Sequence, residues 1–136
     1  MSTILNPYIS FLDNAREALA FYESVFGGTA TVSTYGEFGL NPDPAQADKV
    51  MHGQLDTPGG LTLMVSDAPS HEMFNPGSRI SISLSGENIE ELTRFWTGLS
   101  VGGSITVPFE KAPWGDHFGM FTDKFGVDWM VNGPAE

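Results

Sequence analysis

The same order of helix and turn signals occurs twice along this 136-residue chain. Each copy has an Asn where a helix can begin, an aromatic pair at helical spacing and a Gly-Gly pair that can end the helix. The copies lie 74 or 75 residues apart: Asn14 and Asn88, Phe21-Tyr22 and Phe95-Trp96, Gly27-Gly28 and Gly102-Gly103. Because a repeated set of signals is more informative than any single one, the sequence predicts two copies of one supersecondary unit.

Apolar periodicity predicts one helix and four strands in each copy. The predicted helices are Ala15–Phe26, with a capping-box-like start at Asn14 and Glu17, and a helix capped by Asn88 that runs to about Leu99. The predicted strands are Ile4–Leu12, Thr29–Tyr35, Val50–Asp56 and Leu61–Asp67, then Ser78–Ser85, Ile105–Phe109, His117–Thr122 and Val127–Asn132. The fold class is therefore α+β, with two βαβββ modules that each form a curved, mostly antiparallel sheet with its helix on the outer face.

The connections between these elements define the domain organisation. Thr57–Gly60 has the composition of a hairpin turn, and residues 36–49 read as a loop with one helical turn within residues 41–48. Residues 68–77 are polar and contain Pro and Gly, so they are the natural joint between modules at about 1–67 and 78–136. A chain of this length fits a single domain spanning residues 1–136.

Alternation along the strands assigns one face of each sheet to the core. The residues predicted to face the helices are Leu5, Ile9, Phe11, Leu61, Leu63, Val65, Ile80, Ile82, Leu84, Val127, Trp129 and Val131. The other face carries small polar residues, Met and Tyr, which suits a cleft for a small molecule. A solvated sheet face or a dimer interface are the alternatives. The candidate ligand-binding residues are Tyr8, His52, Gln54, Met64, Ser66, Ser81, Ser83, Trp114, His117, Asp128 and Met130.

Composition excludes several classes of function. The chain has 17 acidic against 6 basic residues, so its net charge is −11, and neither a nucleic acid nor an anionic membrane surface is an expected partner. It contains no Cys, which excludes disulfides and thiolate metal sites and suits the cytoplasm. The N-terminal residues read as a strand and not as a signal peptide, and no window is apolar enough to span a bilayer.

Five segments in this order resemble the vicinal oxygen chelate superfamily, also called glyoxalase/bleomycin resistance/dioxygenase. They are Asn6–Leu12, Ala18–Gly28, Met64–Pro69, Pro113–Asp116 and Asp123–Met130, and the last three are most similar to the PhnB-like branch. The resemblance covers nearly the whole chain. It implies the paired βαβββ fold, a homodimer and, in enzymatic members, a divalent metal held by four His or Glu side chains.

The positions that match those four metal ligands carry other residue types in this chain. The first falls on Pro7 or Tyr8, the second on or beside Met64, the third on Ser81 and the fourth on Met130. None offers imidazole or carboxylate, the groups that bind divalent metals in such sites. We therefore expect no metal, and a protein that binds its small-molecule ligand without one, as bleomycin resistance proteins do.

Two alternatives stay open beside metal-independent binding. One is a lyase or isomerase for a small oxygenated substrate, with a relocated metal site made by His52, His117 and Asp116 or Asp128, or with His117 or Asp128 as a base. Asp128 could instead cap the turn at Phe125-Gly126. The other is a structural or interaction module whose sheet face is covered by a partner.

No cofactor is expected from the glycine pattern. The Gly pairs end helices or form the hairpin at residues 59–60, whereas a Rossmann-type site for S-adenosylmethionine needs a glycine-rich turn between a strand and a helix. No phosphate-binding GxxxxGK[ST] loop is present. The sequence does not specify a catalytic residue.

Overall fold

A computed structural model describes residues 5–38, 47–68, 77 and 80–134. The chain divides into two compact units, Met1–Pro76 and Gly77–Glu136. The first contains β1 (Tyr8–Phe11), α1 (Ala15–Phe26), β2 (Thr29–Thr34), a 3₁₀ helix (Gly36–Phe38), β3 (Val50–Asp56) and β4 (Thr62–Asp67). The second contains β5 (Ile82–Ser85), α2 (Ile89–Leu99), β6 (Ser104–Lys111), β7 (His117–Thr122) and β8 (Asp128–Gly133). The boundary falls at the end of the connection that the sequence predicted.

The two sheets have the same topology. Their strand orders are β1-β4-β3-β2 and β5-β8-β7-β6. In each sheet the first strand of the unit pairs in parallel with the last, and the other neighbours are antiparallel. The register is equivalent too, since Tyr8 lies opposite Met64 and Ser83 lies opposite Met130. The predicted α+β fold of two βαβββ modules is confirmed.

A glycine in the middle strand of each sheet marks the face that packs on the helix. A Cβ atom at Gly53 would lie 2.8 Å from a Val65 methyl carbon and 3.0 Å from a Leu19 methyl carbon. A Cβ atom at Gly119 would lie 2.6 Å from the Trp96 ring. Side chains alternate along a strand, so the residues flanking these glycines point to the opposite side. We call that opposite side the open face of each sheet.

Large buried side chains fill the helix side of each unit. In the first unit they include Leu19 and Tyr22 from α1 with Leu55 and Val65 from the sheet. In the second unit Trp96 of α2 contacts the Phe109 ring at 5.3 Å and the Phe121 ring at 5.0 Å, and Phe121 stacks on Trp129 at 6.5 Å. These cores agree with the apolar periodicity of both helices.

Three predicted core residues lie outside the core. Leu5 is 99% exposed and Ile80 is 83% exposed, because β1 begins only at Tyr8 and β5 only at Ile82. Leu61 is 44% exposed because it belongs to the hairpin turn and β4 begins after it. Alternation predicts which residues can face a core, but it does not show where the backbone hydrogen bonds of an edge strand begin and end.

The helix N-termini differ from the prediction at one of the two caps. Asn14 makes no side-chain capping bond. Instead, the buried Asp67 of β4 accepts the Ala15 N–H at 2.9 Å and the Val50 N–H at 2.8 Å. Asn88 caps α2 as predicted, since its Oδ1 accepts the Glu91 N–H at 3.1 Å.

The loops contain less regular structure than the strands. The helical turn predicted within residues 41–48 falls mostly outside the described residues, since 39–46 are not described, and a 3₁₀ helix forms earlier in the loop, at Gly36–Phe38. Within the part of the chain that the structure describes, no helix is long and apolar enough to cross a membrane.

Candidate functional site

Five polar side chains form one continuous hydrogen-bonded chain on the open face of the first sheet. The Tyr8 hydroxyl lies 3.1 Å from His52 Nδ1, and His52 Nε2 lies 3.2 Å from Gln54 Oε1. Gln54 Nε2 donates to both carboxylate oxygens of Asp56, at 3.2 and 3.1 Å. Thr62 Oγ1 donates to Asp56 Oδ1 at 3.1 Å. We call this set the polar chain.

The strand order explains why these residues meet. His52, Gln54 and Asp56 alternate along β3, so all three point to the open face. Thr62 is the register partner of Asp56 on β4, and Tyr8 reaches His52 from β1. Tyr8, His52 and Gln54 are candidates predicted from the sequence, and the structure brings these three together.

Tyr8 is the exposed end of the polar chain. Its side chain is 52% exposed, and its ring meets the His52 imidazole edge-on with the centroids 5.4 Å apart. The Met51 carbonyl oxygen is a second acceptor for the hydroxyl proton, at 3.4 Å. The hydroxyl is therefore held in place by protein groups while solvent reaches it.

Met64 of β4 lies on the open face between Tyr8 and Gln54. It is the register partner of Tyr8 on one side and of Gln54 on the other. Ser66 follows on the same face, opposite Ser10. Both are half-buried, so a flexible apolar side chain lies beside the polar chain.

Tyr35 lies near Tyr8 and is not among the site residues predicted from the sequence. Its hydroxyl donates to the Asp67 carbonyl oxygen at 2.8 Å. Burial raises the pKa of Tyr35, and the negative charges of an ionised Tyr8 and of Asp67 raise it further. Tyr35 directly follows β2, and its side chain reaches Asp67 on β4. The sequence does not show that contact, so it could not identify Tyr35 as a site residue.

The open face of the second sheet has a different chemistry. Trp114, which is 64% exposed, meets the Phe118 ring edge-on at 5.4 Å. Met130 lies between Ser83 on β5 and Met120 on β7, as Met64 lies between Tyr8 and Gln54. This face therefore offers aromatic and thioether surface in place of a polar chain.

The structure places three residues of the second unit differently from the sequence interpretation. Ser81 precedes β5, and the residue opposite Met130 is Ser83. His117 lies on the helix side of β7, where its ring meets Phe109 at 5.9 Å and its Nδ1 lies 3.3 Å from the Pro134 carbonyl oxygen. Asp128 does not cap the adjacent turn, because its Oδ1 accepts the Thr122 hydroxyl at 2.6 Å.

The turn between β7 and β8 is held by Asp123 instead. Its Oδ1 accepts the N–H groups of Phe125 and Val127 at 2.9 and 3.0 Å, and its Oδ2 accepts the Trp129 indole N–H at 2.9 Å. Asp123 is 3% exposed. Asp123, and not Asp128, therefore organises this turn.

The residues at the family's metal positions do not fit a divalent cation. Tyr8, Met64, Ser83 and Met130 supply a phenol, a hydroxyl and two thioethers, whereas divalent metals in such sites bind imidazole or carboxylate. Among the described residues, no three His, Cys, Asp or Glu side chains cluster as a metal site would require. The relocated-metal hypothesis therefore has no supporting cluster there.

Comparisons with known proteins agree with the fold and the motifs. The sequence profile of the Glyoxalase/Bleomycin resistance protein/Dioxygenase superfamily matches residues 4–131. The Escherichia coli (strain K12) protein YjdN is 33% identical over 141 residues, which cover 94% of this chain and 93% of that protein. Solved structures of similar proteins extend this likeness to three dimensions.

Two of those structures cover nearly the full chain. Protein PA1353 from Pseudomonas aeruginosa is 38% identical with a TM-score of 0.78, and the match covers 99% of this chain and 100% of that one. A PhnB protein from Bacillus cereus is 25% identical with a TM-score of 0.76, covering 96% and 99%. This chain belongs to the glyoxalase/bleomycin resistance/dioxygenase superfamily, and its structural neighbours include PhnB-like proteins.

Proposed function

We propose that this protein binds a small molecule, without a metal ion, on the open face of its first sheet. The observation that carries the proposal is the polar chain, which ends at the half-exposed Tyr8. Tyr8, His52 and Gln54 are the residues that we expect to contact the ligand's polar groups, and Met64 its apolar part. Family membership supports a ligand-binding role but does not fix the ligand.

The geometry of the polar chain favours binding because the groups are oriented before a ligand arrives. Each side chain has a hydrogen-bond partner that restricts its rotation, so less conformational entropy is lost on binding. Gln54 and His52 lie on a central strand of the sheet, which holds them more firmly than a loop would. Met64 can adapt to the shape of the ligand's apolar part.

A titration with small oxygenated compounds, followed by two-dimensional NMR, tests this proposal. We expect a bound compound to shift the amide signals of residues 8, 52, 54 and 64. Tyr8→Phe and Gln54→Leu should each weaken binding by about fivefold or more, since each removes a hydrogen bond. Thr122→Val in the second sheet is the matched control and should leave binding unchanged.

A different location of the bound compounds would contradict the proposal. If the shifted signals lie elsewhere in the chain, and neither Tyr8→Phe nor Gln54→Leu changes affinity, the first open face is not the binding site. Circular dichroism of each variant would separate lost contacts from lost folding.

The second open face supports an additional candidate, which is the binding of a flat apolar molecule or group. The observation that favours it is the exposed Trp114 against Phe118, next to the two methionines of this face. Trp96 and Trp129 are buried, so quenching of the exposed tryptophan reports on Trp114 alone. An aromatic ligand should protect that fluorescence from acrylamide, and Trp114→Leu should remove the effect.

A homodimer in the cytoplasm stays a prediction of the family resemblance and the Cys-free composition. In the second unit the edge strand β6 exposes Ile105 by 52% and Val107 by 37%. A second copy of the chain would remove that apolar area from water. Sedimentation velocity of the wild type and of an Ile105→Glu, Val107→Glu variant tests the assembly. A monomer in both samples would contradict it.

A further inference from the structure

The carboxylate of Asp56 determines how the amide of Gln54 is oriented. An ionised carboxylate can only accept hydrogen bonds, so the group that faces it must be the Gln54 amide NH₂. The Thr62 hydroxyl holds the same carboxylate from β4. With the NH₂ group turned to Asp56, the amide oxygen of Gln54 is turned to His52.

The amide oxygen in turn determines which nitrogen of His52 carries hydrogen. Because Gln54 Oε1 only accepts, His52 Nε2 must donate to it. In the neutral imidazole, Nδ1 is then the acceptor, and the group at 3.1 Å is the Tyr8 hydroxyl. The Tyr8 hydroxyl has a second acceptor, the Met51 carbonyl oxygen at 3.4 Å, and the shorter distance to Nδ1 assigns its single proton to the imidazole. Tyr8 is 52% exposed, so a ligand can reach the other side of its oxygen.

We propose that this arrangement binds a ligand with a weakly acidic hydroxyl group, such as a phenol or an enol, as its oxyanion. The proposal rests on the small-molecule binding proposed above and names the ligand class for that site. The ligand hydroxyl donates to the Tyr8 oxygen. Its proton passes to that oxygen as the Tyr8 proton passes to His52 Nδ1.

Atoms and charges balance in this transfer. The ligand loses one proton and becomes an oxyanion, Tyr8 exchanges one proton for another, and His52 becomes an imidazolium. Both imidazolium N–H groups then have acceptors, Gln54 Oε1 and the Tyr8 oxygen. The new Tyr8 O–H donates to the ligand oxyanion, which is the stronger, charge-assisted type of hydrogen bond.

The surroundings of His52 favour this charge distribution. Among the residues joined in the polar chain, Asp56 is the carboxylate, and Gln54 transmits its effect to the imidazole. The register partner of His52 on β2 is the uncharged Ser33. The imidazolium would thus be held between a fixed amide dipole and a bound oxyanion.

Two matched probes test the ligand class. The probes are 4-nitrophenol, whose phenolate absorbs visible light, and 4-nitroanisole, which has no hydroxyl proton. In a buffer below the phenol's own pKa, wild-type protein should produce the phenolate absorption and bind 4-nitrophenol about tenfold or more tightly than 4-nitroanisole. Tyr8→Phe should abolish both the absorption and the preference while still binding 4-nitroanisole.

A pair of carboxylate variants separates the polar chain from general charge effects. Asp56→Asn removes the constraint on Gln54 and should reduce the phenolate absorption severalfold. Asp128→Asn changes the equivalent pair in the second unit, where the carboxylate accepts from Thr122, and should have no effect. An equal loss in both variants would overturn the proposal.

The remaining outcomes distinguish this proposal from the proposed function. Equal affinity for both probes, with the bound phenol still protonated, overturns the oxyanion site and leaves binding on this face intact. Binding of neither probe overturns the ligand class, while the NMR titration independently decides whether the face binds small molecules.

A ligand-free measurement tests the proton arrangement itself. Two-bond ¹H–¹⁵N NMR of the imidazole ring should show His52 as the Nε2–H tautomer in the neutral protein. Gln54→Leu should remove that preference. An Nδ1–H tautomer in wild-type protein would overturn the proposal, because Nδ1 could not then accept the Tyr8 proton.

Discussion

The two units contain the same Asp–Thr pair at the same place, but with the strands exchanged. In the first hairpin the Asp lies on β3 and the Thr on β4, whereas in the second the Thr lies on β7 and the Asp on β8. Thr62 donates to Asp56 at 3.1 Å, and Thr122 donates to Asp128 at 2.6 Å. Both units therefore share this cross-strand hydrogen bond, but the strand that carries the Asp differs between them.

The strand that carries the Asp determines which other side chains can hydrogen-bond to its carboxylate. Asp56 lies two residues after Gln54 on the same strand face, so the carboxylate also holds the amide. The register position equivalent to Gln54 is Met120, which pairs with Met130 as Gln54 pairs with Met64. A thioether side chain does not extend a hydrogen-bonded chain. One repeated fold thus carries a polar site on one sheet and an apolar face on the other.

The helix caps show the same divergence. In the first unit Asp67, on the last strand, caps α1 from a distance of 52 residues along the chain. The equivalent position at the end of β8 is Gly133, where an added Cβ would lie 2.9 Å from the side chains of Ile89 and Leu92. The second unit has no space there, and Asn88 caps α2 locally.

The largest change in stability that we predict follows from removing the Asp67 carboxylate, which caps α1. Asp67→Ala leaves the buried N–H groups of Ala15 and Val50 without their acceptor, and should lower the free energy of unfolding by about 4 kcal/mol, since bonds to charged groups contribute about 1.5–3 kcal/mol each. Urea unfolding measures the difference. A loss below about 1 kcal/mol would show that water or Asn14 replaces the carboxylate.

A smaller effect should come from the hairpin turns, where Asp123 corresponds to Thr57. Thr57 Oγ1 accepts the Leu61 N–H as Asp123 Oδ1 accepts the Val127 N–H. Asp123→Thr should therefore keep the turn but leave the Trp129 indole N–H without this acceptor, at a cost of about 2 kcal/mol. The first hairpin has Leu63 in place of Trp129 and needs no such acceptor. A cost near zero by urea unfolding would contradict this assignment.

Alanine substitutions of the two N-cap asparagines should differ by about 1 kcal/mol in their effect on the free energy of unfolding. Asn88→Ala removes the bond to the Glu91 N–H and should cost about 1 kcal/mol, the usual value for a capping side chain. Asn14→Ala removes no capping bond and should be nearly neutral. Thermal unfolding of both variants measures this difference. Equal losses would mean that Asn14 caps α1 in solution.

Much of the fold could be predicted because its signals are local. α1 and β3 have the predicted bounds, since a glycine ends the helix and the Thr57–Gly60 turn follows the strand. The edge strands β1 and β5 are shorter than predicted. An edge strand ends where its one neighbour stops offering hydrogen bonds, and that is a property of the register.

The candidate site could be predicted only in part, for the same reason. Alternation gave the faces of Tyr8, His52 and Gln54, because each strand's period is visible in its own sequence. The links through Thr62 and Tyr35 depend on which strands are neighbours and in which register they pair. His117 was predicted for the open face because the end of a strand gives too few residues to fix its alternation.

The smallest predicted effect is an alkaline one, confined to the first unit because all three tyrosines lie there. Burial, and then the charges of Tyr8 and Asp67, raise the pKa of Tyr35 above its ordinary value of 10.0. The unfolded chain then loses this proton first, so stability should fall as the pH rises from about 10 through the folded-state pKa.

Tyr35→Phe should flatten that part of the stability profile, as measured by urea unfolding across this pH range. The variant also loses the bond to the Asp67 carbonyl oxygen, which lowers stability by a similar amount at every pH below 10.0. Tyr8→Phe provides the control that isolates the electrostatic part. Removing the Tyr8 charge should reduce the slope without abolishing it, because burial is the largest cause of the shift. An unchanged slope in Tyr35→Phe would assign the alkaline loss to other groups.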